Sequence, residues 1–138
     1  MPEFFEAKGY EQTMEMLKKL EAKSLVYLYF TGEKDKTGKS WCPDCVDAEP
    51  TILSGIRKHA LSDSIILVVD VGNRDAWKDM KDNKFRQPPI SINSIPSMLR
   101  WKGVERLDGN QCGNPSLVEM FFEEAKSDSS TSIPGLGR

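Results

Sequence analysis

The sequence has no apolar run long enough to cross a bilayer. Its longest apolar stretches, residues 25–30 and 65–69, fall far short of the ~20 residues that a membrane-spanning helix needs. The first residues also lack a basic segment followed by an apolar one, so no secretory signal is visible. We therefore expect a cytoplasmic protein without a membrane partner.

A surplus of basic residues is missing as well. The chain carries 19 Lys and Arg against 21 Asp and Glu, which gives a formal net charge of -2. Proteins that bind nucleic acid need a basic surface to neutralise the phosphates. The charge balance therefore argues against nucleic acid as a partner.

Cysteine is scarce, with three residues in 138. A secreted scaffold held together by disulfides would have more cysteines in a shorter chain. In a reducing compartment, two cysteines close in sequence are more often catalytic or metal-binding than structural. Cys42 and Cys45 form such a pair, whereas Cys112 has no cysteine near it in sequence. The pair is therefore the first candidate for chemistry.

Apolar segments alternate with helical patterns along the chain, which predicts an α/β fold. Helices are predicted at residues 10–23 and 42–60 and from Asn114 onward, and residues 73–85 are predicted as a helical stretch interrupted by Asp and Asn. Strands are predicted at residues 24–30, 64–71, 97–101 and 104–107, with Lys102-Gly103 as the turn of a terminal hairpin. Strands separated by helices pair in parallel, and the hairpin adds antiparallel strands. We expect a central mixed sheet of four or five strands with helices on both faces.

The chain length fits one domain, and 38% hydrophobic residues are enough to form its core. We expect this domain to span residues 1–126. The remaining residues, 127–138, are rich in Ser, Gly and Pro, a composition typical of disorder. We therefore predict a disordered tail after the domain.

An unusually long loop precedes the Cys pair. Residues 31–40 read TGEKDKTGKS and combine two glycines with charged side chains, so they cannot bury apolar area. A length of about ten residues exceeds the ~2–6 residues of most strand-to-helix connections. A long loop beside a candidate site favours a functional role for the loop.

The spacing of Cys42 and Cys45 is typical of disulfide exchange. Cys42 occupies the N-cap of the predicted helix, and Pro43 suits its first position. The unpaired amides and partial positive charge of a helix N-terminus stabilise a thiolate, which is the nucleophilic form. Cys45 lies on the same face one turn deeper, so it can attack a mixed disulfide formed on Cys42. We predict a thiol–disulfide oxidoreductase with Cys42 as nucleophile and Cys45 as resolving thiol.

Two other interpretations of the pair remain. A structural zinc site needs about four ligands, and the soft candidates are Cys42, Cys45, Cys112 and His59, without a second Cys pair. Alternatively, the two cysteines are merely packed in the core, where free cysteine is common. The ligand count disfavours zinc, and we expect neither a metal nor a bound cofactor.

The sequence WCPDC at residues 41–45 resembles the thioredoxin superfamily. It is most similar to the cytosolic thioredoxin-related members that carry this motif in place of WCGPC. The similarity covers residues 4–124 and includes GKSWCPDCVDAEP and the Ile95-Pro96-Ser97 segment. The resemblance implies a thioredoxin-like fold.

The resemblance also implies roles for individual residues. Cys42 would be the nucleophile and Cys45 the resolving cysteine. The residues implied to shape the site are Trp41, Pro43, Asp44 and Pro96, the last as a cis-proline opposite the active site. An X-Pro bond is cis in only about 5–6% of cases in folded proteins, so the cis prediction rests on the resemblance alone.

An activity follows from the same resemblance. It implies a disulfide reductase that is recharged by NADPH-dependent thioredoxin reductase and acts, as a monomer, on small disulfides such as cystine and on selected protein disulfides. The implied substrate range is narrower than that of thioredoxin, and the loop at residues 31–40 offers a reason, since it could obstruct large partners. The alternative is a redox-insensitive protein-binding module on the same scaffold, which would not need both thiols.

This sequence departs from thioredoxin at the position that would accept the proton of Cys45. Thioredoxin has a buried aspartate on the strand before the active site, which serves proton transfer to the resolving cysteine. Here the matching strand reads LVYLYF, and Tyr29 falls near that place. Asp44 or water are the candidates left open. The carboxylate of Asp44 suits the helix dipole but repels a thiolate, an effect that Lys39 could offset.

Overall fold

The computed structural model describes the backbone of residues 2–131 and the side chains of residues 2–124. This part of the chain contains five strands and four α-helices, which alternate except that β4 and β5 follow one another. The strands are β1 (Glu3–Lys8), β2 (Val26–Thr31), β3 (Ile65–Asp70), β4 (Ser97–Arg100) and β5 (Arg106–Asp108). The helices are α1 (Gly9–Leu20), α2 (Pro43–His59), α3 (Arg74–Lys78) and α4 (Pro115–Thr131).

The strands form one mixed sheet in the order β1-β3-β2-β4-β5. The strands β1 and β2 both run parallel to β3, whereas β4 is antiparallel to β2 and β5 is antiparallel to β4. All six residues of β2 are buried, as expected for a central strand that is covered on both faces. The predicted thioredoxin-like α/β fold with a mixed sheet is therefore confirmed, with five strands rather than four.

Alternate residues of β2 divide the core between the two faces of the sheet. Leu28 and Phe30 belong to one cluster, which also contains apolar residues of α1 and α3. Tyr27 and Tyr29 belong to the other, together with Ile52 of α2 and further residues of α2 and α4. Helices thus cover both faces, as predicted. Among the described helices, none combines the length and the apolar content that a bilayer crossing requires.

The first strand has no counterpart in the sequence prediction. β1 is an edge strand that pairs only with β3 and buries only Ala7 completely. Its sequence, EFFEAK, does not alternate cleanly between apolar and polar residues. Its strand conformation depends on pairing with β3, residue by residue from Glu3 opposite Ile65. The spacing of apolar residues within this segment therefore does not predict the strand β1.

The stretch at residues 73–85, predicted to be helical with interruptions at Asp and Asn, divides into two short helical elements. α3 ends at Lys78, and a separate 3₁₀ turn covers Lys84–Arg86. Between them the Asp79 carboxylate accepts hydrogen bonds from two backbone amides, and the Asn83 side chain accepts one from Phe85. Short Asp and Asn side chains satisfy the backbone locally in this way and so compete with a helix.

The terminal hairpin has a longer connection than predicted. β4 ends at Arg100 and β5 begins at Arg106, so the turn is not limited to Lys102-Gly103. Arg100 and Glu105 close the connection with a backbone hydrogen bond and a buried ion pair, whose Nε–Oε1 distance is 2.6 Å. This pairing holds the two ends of the loop together beyond the paired residues of β4 and β5.

The last helix overlaps the segment predicted to be a disordered tail. Asn114 caps α4 through hydrogen bonds from the amides of Ser116 and Leu117, and Pro115 is its first residue, as predicted. The helical backbone continues through Thr131, five residues past the predicted boundary. The remainder, residues 132–138, lies outside the described residues. The boundary at residue 126 stays a prediction.

Candidate active site

Cys42 lies at the N-terminus of α2. Its backbone is extended, it forms the N-cap, and Pro43 is the first helical residue, as predicted. The Cys42 Sγ accepts a hydrogen bond from the Cys45 amide at 3.2 Å. The side chain is nearly covered, with 5% exposure. A sulfur that already accepts an amide hydrogen at a helix N-terminus is placed to be stabilised as a thiolate.

The segment before β4 contacts this sulfur from across the site. The Ile95–Pro96 peptide bond is cis, the conformation that the resemblance implied. The Cys42 Sγ lies 3.8 Å from the carbonyl oxygen of Ile95. On the far side of the segment, the Pro96 carbonyl accepts a hydrogen bond from the Gly109 amide at 2.8 Å. Residues 95 and 96 are therefore anchored next to the Cys42 sulfur.

Cys45 is more deeply buried, with 2% exposure. Burial, together with the neighbouring Cys42 sulfur, raises the pKa of Cys45 to about 12, although Gly32 and Thr31 act in the opposite direction. Desolvation disfavours the charged form of a thiol. Cys45 therefore stays protonated at neutral pH unless a base removes its proton.

Trp41 fixes the segment that precedes the helix. Its indole Nε1 donates a hydrogen bond to the Gly72 carbonyl at 2.9 Å, and the Ser40 Oγ accepts one from the Cys42 amide at 3.1 Å. Gly32 leaves the room that this arrangement needs, because a Cβ there would lie 2.8 Å from the Trp41 ring. The tryptophan is half-buried and directly precedes Cys42, so this predicted site residue lies beside the Cys pair.

The long loop before the helix is ordered. The Asp35 carboxylate accepts hydrogen bonds from the Thr37 amide (2.8 Å), the Thr37 hydroxyl (2.6 Å) and the Lys39 amide (3.1 Å). These bonds lower the pKa of Asp35. Lys34 and Ser40 pair across the loop as an isolated bridge. The loop therefore folds back on itself as a compact wall beside Trp41 and Cys45.

Two cavities border the site. A cleft of about 720 Å³ runs along Trp41, and charged residues of both signs line it, among them Glu33, Lys34, Asp47 and Arg74. A smaller cavity of about 160 Å³ lies between the loop and α2 and reaches Cys45. The first cavity is lined by Trp41 and Pro43, the two sequence neighbours of Cys42, and the second connects the Cys45 thiol with polar groups.

Other candidate residues lie elsewhere. Cys112 is fully buried in the cluster with α4, and burial followed by the Asp108 charge raises the pKa of its thiol to about 12. His59 ends α2, and its Nδ1 lies 3.9 Å from Glu123. In the part of the chain that the structure describes, no three His, Cys, Asp or Glu side chains group as metal ligands. The four soft ligands weighed for zinc are therefore not brought together.

Sequence reasoning missed two polar residues at the site, Ser40 and Glu49. Ser40 bonds the Cys42 amide, and Glu49 lines the small cavity with Cys45. The sequence feature that could have pointed to Glu49 is its position four residues after Cys45, because residues four apart on a helix share a face. Asp44 is exposed in the first turn and lines neither cavity named above.

Comparison with known proteins identifies the family. Residues 6–124 match the family model described as thioredoxin domain-containing protein 17-like, thioredoxin domain. Thioredoxin domain-containing protein 17 of Mus musculus is 41% identical over 116 residues, which cover 84% of this chain and 91% of that protein. The protein of the same name from Homo sapiens is 36% identical with the same coverage.

Two further similarities are more distant. The thioredoxin-like protein Clot of Arabidopsis thaliana is 29% identical over 96 residues, covering 67% of this chain and 71% of that protein. The solved structure of the germline-specific thioredoxin Deadhead of Drosophila melanogaster has 17% identity and a TM-score of 0.48, covering 94% of this chain and 99% of that one. The family model and the relatives above 30% identity carry the assignment. The chain belongs to the thioredoxin domain-containing protein 17-like family of thioredoxin domains, a family that suggests a thiol redox role.

Proposed function

We propose that the protein is a thiol–disulfide reductase that uses Cys42 as nucleophile and Cys45 as resolving thiol. The observation that carries the proposal is the position of the Cys42 sulfur, which caps α2 and accepts the Cys45 amide hydrogen at 3.2 Å. That donor and the helix N-terminus favour the thiolate that disulfide exchange requires. A redox-insensitive binding module would have no use for this arrangement of two thiols.

The reaction runs in two exchanges. The Cys42 thiolate attacks one sulfur of the substrate disulfide, and the other sulfur leaves as a thiolate that takes a proton from solvent. Cys45 then loses its proton and attacks the Cys42 sulfur, so that a Cys42–Cys45 disulfide forms and the second substrate sulfur leaves. The substrate disulfide gains two electrons, and the protein dithiol loses two.

The surroundings of Cys42 support a narrow substrate range. The Cys42 side chain is 5% exposed, its sulfur contacts the Ile95 carbonyl, and its amide is bonded to Ser40 at the end of the ordered loop at residues 31–40. A large protein surface would have to fit against that wall to reach the sulfur. Small disulfides such as cystine, and exposed disulfides of selected proteins, need less space.

Recharging needs an electron donor, because one turnover leaves the protein oxidised. We assign this role to NADPH-dependent thioredoxin reductase, which reduces the disulfide by the same exchange chemistry, so that the protein itself needs no bound cofactor. We place the protein in the cytoplasm as a monomer. A reducing compartment keeps free thiols such as these from forming stable disulfides.

The test is NADPH consumption with thioredoxin reductase, using cystine and insulin as alternative substrates. We expect turnover of cystine, little turnover of insulin, and loss of both in Cys42→Ser. No turnover of either substrate by a protein whose Cys42–Cys45 disulfide can be reduced would favour the binding module instead.

A further inference from the structure

The small cavity beside Cys45 has polar groups in its lining and room for water. Its volume of about 160 Å³ exceeds the ~30 Å³ that one water occupies in the liquid, so it can hold a short chain of them. Its lining includes Thr31, Lys34, Ser40 and Glu49, all with polar side chains, as well as Cys45 itself. A proton can therefore leave the buried thiol through hydrogen-bonded water.

Glu49 is the carboxylate among the lining residues of this cavity. It follows Cys45 by four positions on α2, so the two side chains share one face of the helix. Its Oε2 lies 2.6 Å from the Lys34 Nζ, which ties the carboxylate to the loop wall. The side chain remains 33% exposed. Glu49 thus connects the cavity with solvent, where an accepted proton can be released.

The other acid groups near Cys45 are poorly suited to accept its proton. Tyr29 lies on β2 beneath the site; its hydroxyl is buried, and burial raises its pKa against the smaller opposing effect of Thr31. A phenol of that kind holds its own proton at neutral pH. Asp44 is exposed and does not line the cavity.

We propose that Glu49 accepts the proton of Cys45, through water in this cavity, when the mixed disulfide is resolved. The inference deepens the reductase function proposed above and rests on it. The Cys45 S–H bond breaks and its proton passes to the Glu49 carboxylate. The Cys45 sulfur then bonds to the Cys42 sulfur, the bond between Cys42 and the substrate sulfur breaks, and the substrate leaves as a thiolate. Glu49 finally releases the proton to solvent.

The experiment separates the two exchanges with an aromatic disulfide whose thiolate product is coloured, 5,5′-dithiobis(2-nitrobenzoate). Reduced protein is mixed with an equal amount of the probe. Attack by Cys42 releases the first coloured thiolate and resolution by Cys45 releases the second. In Glu49→Gln we expect an unchanged first phase and a second phase slower by about a hundredfold, the lower end of what a positioned acid–base group contributes.

Two further measurements distinguish proton transfer from a structural effect. Added formate, a small base, should accelerate the second phase of Glu49→Gln and leave the wild type unchanged, and Glu49→Asp should fall between the two. The matched control is Glu119→Gln, the same change at an exposed position of α4, which should leave both phases as they are.

The outcomes that overturn the inference are distinct. Equal second phases in wild type and Glu49→Gln would exclude Glu49, and a slow second phase in Asp44→Asn instead would assign the role to Asp44. A Glu49→Gln variant slowed equally in both phases, without rescue by formate, would reduce Glu49 to a structural residue. Failure of the wild-type protein to release any coloured thiolate would overturn the reductase function and the inference together.

Discussion

Two thiols of this protein contact neighbouring carbonyls of one segment from opposite sides. The Cys42 Sγ lies 3.8 Å from the carbonyl oxygen of Ile95, and the Cys112 Sγ lies 3.6 Å from that of Pro96. Both side chains are buried, at 5% and 0% exposure. Burial and proximity to this segment therefore do not distinguish the proposed nucleophile from the third cysteine.

The other neighbours of the two sulfurs differ in part. The Cys42 sulfur accepts an amide hydrogen at the start of α2. The Cys112 sulfur lies 3.7 Å from the Leu107 carbonyl oxygen, and a backbone hydrogen bond from Met98 lowers the pKa of this thiol against the larger effect of burial. An amide donor stabilises a thiolate, and carbonyl oxygens bind only the protonated thiol. Burial is the largest cause that raises the pKa of Cys112, whereas Cys42 is distinguished by its place at the N-cap of α2.

The largest expected contrast is in alkylation. At neutral pH with excess iodoacetamide, we expect Cys42 to be modified in the folded protein and Cys112 only after unfolding, because a thiolate is required and Cys112 is both protonated and covered. Peptide mass spectrometry after a short exposure to iodoacetamide measures the extent of modification at each cysteine. Modification of Cys112 at a rate near that of Cys42 would refute the contrast.

The two serine variants extend this contrast to function. Cys112→Ser should keep cystine turnover and lose about 1–3 kcal/mol of unfolding free energy, because a hydroxyl replaces a sulfur in an apolar site. Cys42→Ser should lose turnover and change stability little. Denaturant titration and the NADPH assay measure the two effects, and a large activity loss in Cys112→Ser would give Cys112 a part in the chemistry.

Gly32→Ala perturbs the surroundings of Cys42 while leaving those of Cys112 intact. The new Cβ would lie 2.8 Å from the Trp41 ring, and such overpacking costs about 1–3 kcal/mol. We expect that loss in denaturant unfolding, together with slower attack by Cys42. Gly113→Ala is the matched control, since its Cβ would meet Ala48 at an ordinary 3.9 Å; an equal loss there would contradict the steric explanation.

The buried thiols should make stability fall at alkaline pH. The pKa of Cys45 and of Cys112 rises from 9.0 to about 12 on folding. Both groups favour the folded state as neutral thiols below pH 9, and this contribution is lost as pH rises from about 9 towards 12. The slope is at most about 1.4 kcal/mol per pH unit for each thiol. Denaturant unfolding under reductant should show a shallower fall in Cys112→Ala, and an unchanged slope there would be inconsistent with this account.

The smallest effect is expected from a substitution in the loop at residues 31–40, which borders the surroundings of Cys42 and not those of Cys112. Asp35→Ala removes three hydrogen bonds at an exposed position, so we expect a stability loss of about 0.5–1.5 kcal/mol at most. The looser wall should raise insulin turnover relative to cystine turnover. If the ratio of the two rates in the NADPH assay does not move, the loop does not restrict the substrate range.

Interactions within a few residues were predictable from the sequence. Cys42 at the N-cap, Pro43 in the first helical position and Cys45 one turn further depend on backbone geometry inside one segment, and the structure has all three. The central strands were predictable too, because β2 is apolar throughout its length and needs cover on both faces. These features owe little to distant parts of the chain.

Other features depend on residues far apart in sequence. The strand β1 exists through its pairing with β3, some sixty residues later in register. The contact of Cys42 with Ile95 spans 53 positions, and the loop meets α2 through Lys34 and Glu49.

The sequence by itself determined the pair of thiols, its place at a helix N-terminus and the α/β layering, because local hydrogen bonding and apolar spacing decide these. Only the tertiary structure decided which polar groups of other elements surround each sulfur. Long-range packing brings the Ile95 carbonyl to Cys42, Gly32 and Thr31 to Cys45, and the Pro96 carbonyl to Cys112.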